Sequence, residues 1–74
     1  MSPSPDHLTV LGSSVLARMT YSREATLDLV FRSGAIYRYF AVPRDVVAGL
    51  ITAGSKGTYF NTHVRNCFRY QRLA

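Results

Sequence analysis

The densest set of groups able to do chemistry lies between Ser55 and Arg65, which reads Ser-Lys-Gly-Thr-Tyr-Phe-Asn-Thr-His-Val-Arg. Donors, rings and cations alternate there, but no nucleophile stands beside a base, so the pattern suits binding rather than a reaction. Gly57 permits a backbone turn that a side chain would resist, and Thr58 fits the N-cap of a short helix starting at Tyr59. On that helix the i, i+4 spacing sets Phe60 with Val64 as an inward apolar stripe, Tyr59 with His63, and Asn61 with Arg65. A cationic, hydrogen-bonding face around an aromatic suits phosphates, carboxylates and flat rings. For Ser55 and Asn61 the plainer reading, that they cap backbone groups and close the fold, stands equally open.

Beyond this window the cations are mostly arginine. The chain carries nine basic against four acidic residues, a formal charge of +5, and Lys56 is its one lysine. Arginine's planar fork grips phosphate or carboxylate bidentately and stacks on rings, so the expected partner is anionic, either nucleic acid or an acidic protein face. Arg18, Arg23, Arg65, Arg69, Arg72 and Lys56 are the available contacts, with Tyr59 as a stacking ring. Lys56, Arg65, Arg69 and Arg72 all come from the last third of the chain, where short connections fold them into one neighbourhood.

Catalysis and metal binding find little support. Cys67 is the sole cysteine and there are two histidines, which excludes an internal disulfide and a thiolate cluster for zinc. Cys67 falls in a run that reads as buried, four positions from His63 across a turn, so no Cys-His nucleophile can be placed. Asp28 and Asp45 are needed opposite Arg38 and at a helix start, which leaves no carboxylate pair for acid and base work. No enzyme activity and no cofactor are expected. No apolar run is long enough to span a membrane and the first residues lack a secretory pattern, so the expected setting is cytoplasmic and away from membranes, as a monomer.

The elements that must position these residues belong to one domain. Seventy-four residues, 47% hydrophobic with nine aromatics, make a folded unit whose thin core supplies only a few kcal/mol. Residues 1–8, opening on two prolines and two serines, read as a mobile arm, and 9–74 as the domain. Val10 to Tyr21 reads as the first strand, bent at Gly12-Ser13-Ser14. Its alternation sets Val15, Ala17, Met19 and Tyr21 on one side and Leu16, Arg18 and Thr20 on the other. Thr26 to Phe31 is the second strand, with Leu27, Leu29 and Phe31 in register.

The next hairpin turns at Ser33-Gly34, where two registers compete. A two-residue turn would drive Arg38 into the face of Leu27, Leu29 and Phe31. A three-residue loop with Gly34 in a left-handed bulge instead sets Leu29 against Tyr37, Leu27 against Tyr39 and Asp28 against Arg38. An unpaired buried guanidinium costs several kcal/mol, more than any turn preference, so the second register is expected. Tyr37 and Tyr39 then lie mainly in the core, with a stacking platform at the rim as the lesser alternative. Val42-Pro43 opens a helix that buries Val46, Val47, Leu50, Ile51 and Ala53 and stops at Gly54. Gly49 inside it costs up to about 1 kcal/mol unless something packs closely there. Cys67 to Leu73 returns as the last strand, with Phe68 and Tyr70 on one side and Arg69 and Gln71 on the other. The order is β-β-β-α-α-β, an α+β fold with a small antiparallel sheet and one main and one short helix on one face.

These residues resemble the KTSC domain, a short module found alone in bacterial and phage proteins and at the C-terminus of some lysyl-tRNA synthetases. The matching marks are Ser13-Ser14, Tyr21, Leu27-x-Leu29-x-Phe31, Gly34, Tyr37-x-Tyr39 and Val42-Pro43, then Ser55-x-Gly57-x-Tyr59-Phe60-Asn61 and Tyr70-x-Arg72-Leu73. Thr20-Tyr21-Ser22 departs from the family's Gly-Tyr-Asp, and Phe68 stands for its usual Tyr. The resemblance implies no enzyme activity, and it implies RNA binding by analogy with the synthetases. The chain's size and marks also resemble a small phage transcription regulator that binds host RNA polymerase. The polymerase is therefore the first expected partner and RNA the second, through Arg18, Lys56, Tyr59, Asn61, His63, Arg65, Arg69 and Arg72.

Overall fold

The computed structural model describes residues 7–74. The strands are β1 (His7–Val10), β2 (Leu16–Tyr21), β3 (Leu27–Phe31), β4 (Ile36–Tyr39) and β5 (Tyr70–Arg72), and the helices α1 (Arg44–Thr52) and α2 (Lys56–His63) lie between β4 and β5. The sheet is antiparallel with strand order β1-β2-β3-β4-β5. The α+β class holds, and the order gains a strand. What reads as one bent strand is two, because Leu8 to Val10 folds back onto Arg18 to Thr20. The expected arm thus gives up His7 and Leu8 to β1, and residues 1–6 lie outside the described residues.

The β3–β4 register is the one that keeps arginine out of the core. Leu27 faces Tyr39, Asp28 faces Arg38 and Leu29 faces Tyr37. Arg38 donates from Nε and from a terminal nitrogen to the two Asp28 oxygens, each at 2.9 Å. The turn is the expected three-residue loop: Phe31 N–H bonds the Ala35 carbonyl, Gly34 N–H bonds that of Phe31, and Gly34 has φ 97°.

Strand β2 departs from simple alternation. Leu16 opposes Phe31 and Arg18 opposes Val30, so a bulge inserts one extra residue and rotates Leu16 onto the face of Met19. Leu16 is fully buried, against the expectation that it shares a side with Arg18, and Val15 stands 45% exposed. One core then joins Leu16, Met19, Leu27, Leu29 and Tyr39 of the sheet to Val47, Leu50, Phe60 and Val64 from the helical region. Both helices therefore cover the same face.

The helices differ in detail from the sequence pattern. Pro43 is the N-cap of α1, and Asp45 accepts a hydrogen bond from Val46 N–H at 3.0 Å. Val47 and Leu50 are buried as expected, whereas Val46 and Ala53 are half-buried and Ile51 is exposed. Helix α2 starts three residues earlier than expected. Its N-cap is Ser55, whose Oγ accepts from Thr58 N–H at 3.4 Å, so Thr58 is inside the helix and Ser55 takes the capping role. Gly57 is in the first turn without a positive φ, and Val15 lies at ordinary contact distance, 3.4 Å from where a Cβ would stand. The last strand is only Tyr70–Arg72. Cys67 lies before it in a turn and is exposed, not buried.

Candidate binding basin

Antiparallel order brings alternate connections to the same end of the sheet, so the β1–β2 and β3–β4 loops are neighbours. Arg32 ties them, donating from Nε to the Ser13 carbonyl at 2.6 Å and from its backbone N–H to the Val15 carbonyl at 2.9 Å. Ser13 shapes the first loop by accepting from Val15 and Leu16 N–H at 3.1 and 3.3 Å. The first turn of α2 sits against Val15 at this same end. Together these parts wall an open basin of about 1030 Å³.

The pairing register decides what forms its floor. Met19, Leu29, Tyr37 and Arg72 stand in one row across the sheet, and Tyr21, Leu27, Tyr39 and Tyr70 in the next. The helices cover these rows as far as Tyr39, which is 4% exposed, while Tyr70 beyond it is 56% exposed. Tyr37 is half-buried, with its ring 5.8 Å from Tyr70, 6.4 Å from Tyr39 and 5.7 Å from Phe31. The Arg72 guanidinium lies over the Tyr37 face at 5.6 Å and donates to the Ala74 carbonyl at 2.8 Å. Thus the two tyrosines of β4 divide: Tyr39 is core, and Tyr37 belongs to the rim as a ring platform.

The electrostatics of the basin are one-signed. Arg65, Arg72 and Lys56 line it, and among the described residues no Asp or Glu does. Lys56 is partly engaged, since its ammonium donates to the Ala53 carbonyl at 3.0 Å. Arg65 is exposed and lies close enough to Tyr39 to act on its phenol. Burial pushes that phenol up to about 12, Tyr37 and Tyr70 push the same way, and Arg65 alone pulls it down. The first N–H groups of α2, on Lys56 and Gly57, have no carbonyl within their own helix and also face this end. The exposed Asn61 amide and Ser14 hydroxyl add neutral hydrogen-bonding groups.

Of the eight residues expected to bind, Lys56, Asn61, Arg65 and Arg72 come together here. Arg18 does not. Its pairing with Val30 and Val10 puts it on the opposite face of the sheet, beside the exposed Leu8 and Val10. Tyr59 lies outside the basin lining and clasps the helices together: its hydroxyl donates to the Val46 carbonyl at 2.8 Å and its ring lies over Gly49. His63 packs on that ring at 4.4 Å, outside the basin. Arg69 is exposed before β5, and its carbonyl serves Phe40 N–H at 2.9 Å. Tyr70, Phe31, Ser13 and Ser14 line the basin and were not among the expected contacts, and Tyr37, expected at the rim only as the lesser alternative, lines it too; the spacing Tyr37-x-Tyr39 and the closing Tyr70-x-Arg72 both mark one strand face.

The KTSC domain profile matches residues 12–70. The chain belongs to the KTSC domain family. The resemblance read from the sequence is thereby confirmed, and many of its marks now have a place: Ser13, Ser14, Phe31, Tyr37, Tyr39, Ser55, Gly57, Phe60, Asn61, Tyr70 and Arg72 all line the basin. The chain is 37% identical over 62 residues to a lysine–tRNA ligase of Nostoc punctiforme, an alignment that covers 82% of this chain and 11% of the ligase. It is 41% identical over 63 residues to the lysine–tRNA ligase of a further Nostoc strain, again 11% of that protein and 85% of this one. The chain therefore spans about a tenth of the length of these ligases. A protein of Stutzerimonas stutzeri described as uncharacterized is 43% identical over 65 residues, with 85% of this chain and 92% of that protein aligned. In three dimensions a KTSC domain protein of Yersinia pestis superposes with a TM-score of 0.87 at 23% identity, over 93% of this chain and 99% of the other. These relatives lend no support to the resemblance to a polymerase-binding phage regulator.

Proposed function

We propose that the domain is a non-enzymatic RNA-binding module that holds RNA in the basin, with Arg65 and Arg72 on phosphate oxygens and the tyrosine rim beside the bases. The observation that carries this reading is the pairing of two exposed arginines with the exposed Tyr70 ring and the half-buried Tyr37 ring in a concavity that no Asp or Glu lines among the described residues. Guanidinium forks satisfy phosphate oxygens two at a time, and rings accept bases of any identity. The lysine–tRNA ligases that contain a segment similar to this chain are named for work on an RNA, which favours RNA over the polymerase expected first from the sequence. A concave, ring-floored site also suits a thin polymer better than the broad acidic face of a protein.

The test is fluorescence anisotropy of a labelled, unstructured RNA titrated with purified domain over a salt series. For two to three phosphate contacts, log affinity should fall against log salt with a slope of about −1.4 to −2. Arg65→Glu with Arg72→Glu should abolish binding and leave the protein folded, since both side chains are exposed, at a cost of about 1 kcal/mol for the Arg72 contact with the Tyr37 ring. Arg18→Glu, on the other face, should cost little. Absence of RNA binding by wild type, together with capture of nucleic-acid-free RNA polymerase, would replace this reading with the protein partner.

A further inference from the structure

Resting on that reading, we infer that the basin takes unpaired RNA rather than duplex, with one base stacked on Tyr70 and the flanking phosphates on Arg65 and Arg72. Shape, ring exposure and the placement of charge each contribute to this.

The site is concave. Duplex RNA is contacted across its shallow minor groove by protein elements that project into it, and its bases are already stacked on each other. A basin of about 1030 Å³ is of the size that holds a small ligand, so it accommodates a nucleotide or two and not a helix. An end, a loop or a single strand can offer a splayed base to such a site.

The rings differ in what they can still accept. Tyr39 is closed by Phe60, whose ring stands edge-on at 5.8 Å, and Tyr37 carries the Arg72 guanidinium over its face. Tyr70 is the ring that remains open: it leans on Tyr37 and Tyr39 at 5.8 and 5.7 Å and is 56% exposed on the edge strand. It is thus a supported platform, held by two tyrosines and open on the basin side. Arg72 is two residues along the same strand, hence on the same face, and Arg65 reaches in from beyond the end of α2. Cations beside an open ring match a nucleotide's alternation of base and phosphate.

The experiment compares three probes of matched length by anisotropy: an unstructured single-stranded RNA, the same RNA annealed to its complement, and an abasic strand with the same phosphates. The protein has no tryptophan, so the variant Tyr70→Trp carries a single indole emitter, placed at the site. Wild type should bind the base-bearing single strand at least about ten-fold more tightly than either other probe. Tyr70→Ala should erase that preference and Tyr70→Phe should keep it. The indole emission of Tyr70→Trp should be quenched by the base-bearing strand but not by the abasic one. Quenching is read on a folded aromatic variant, so it decides the question even where Tyr70→Ala loosens the edge strand. Equal binding of all three probes, or unquenched emission at saturation, would overturn the stacking inference while leaving RNA binding intact. Failure to bind any probe would remove both.

Discussion

Gly49 offers a test of how the helices are held together, because the outcome changes sign with the partner residue. In an ordinary helix interior, Gly→Ala stabilises by up to about 1 kcal/mol, since Gly loses more backbone freedom on folding. Here a Cβ would fall on the end of the Tyr59 ring, at 2.6 Å from Cζ and 2.8 Å from Cε2, with the hydroxyl oxygen nearer still. Tyr59 must therefore move, and with it the 2.8 Å hydrogen bond to the Val46 carbonyl. Overpacking costs about 1–3 kcal/mol and the lost hydrogen bond about 1 kcal/mol, against the gain of up to about 1 kcal/mol from alanine. Gly49→Ala should then destabilise by about 1–3 kcal/mol, measured by urea denaturation followed by circular dichroism. In a Tyr59→Ala background the obstruction is absent, and the same substitution should stabilise by about 1 kcal/mol. A double-mutant cycle thus reads a coupling of at least about 2 kcal/mol. If Gly49→Ala stabilises the otherwise wild-type protein, the ring does not clasp the helix and the account of Tyr59 is wrong.

Phe60→Ala should cost about 3–5 kcal/mol in the same assay, because the ring is 7% exposed and stands edge-on to both Phe31 and Tyr39; a loss under about 1 kcal/mol would mean it does not pin α2 to the sheet. Tyr39 makes stability fall in alkali. Its phenol is raised in the folded state from the ordinary 10.0 to about 12, so folding favours the protonated ring, and this contribution, complete below pH 10, is lost as pH rises to 12. Tyr39→Phe should flatten that decline relative to wild type in melts taken across the window, and identical pH profiles would show that the phenol is not held neutral by its burial.

The parts of the fold legible in the sequence are those where one energetic term dominates. Asp28 and Arg38 fixed a register because the alternative put a guanidinium among leucines, and both partners are found where charge pairing requires them. Phe60 and Val64 were legible from helical spacing, and both are buried. The bulge after Leu16 was hidden because its cause lies in the packing of Leu16 under the helices rather than in the local alternation, which read equally well without it. Strand β1 was hidden because four residues with Leu8 and Val10 exposed carry no burial signal. Ser55 against Thr58 was a choice between two good caps, and the earlier one adds a turn to α2 and so brings Gly57 against Val15.

The candidate site was half legible for a related reason. Charge can be counted in a sequence, so Lys56, Arg65 and Arg72 were found, but which face a cation occupies depends on register and on where the strand begins. Arg18 and Arg69 lie outside the basin on those grounds. The rings were harder to place because one residue type serves core and rim, and Tyr37 packs on the core while also lining the basin. Tyr59, expected outside, fills the gap that Gly49 leaves, and Tyr37, expected mainly inside, lies where the helical cover runs out. Burial traces where the helical cover ends: along one row Leu29 is fully buried and Tyr37 only half-buried, and along the next Tyr39 is 4% exposed and Tyr70 56%. Part of one sheet face is thus left uncovered. The uncovered part falls at β4 and β5, where the sequence has placed Tyr37, Tyr70 and Arg72 instead of leucines, so the end of the core and the start of the basin are the same boundary.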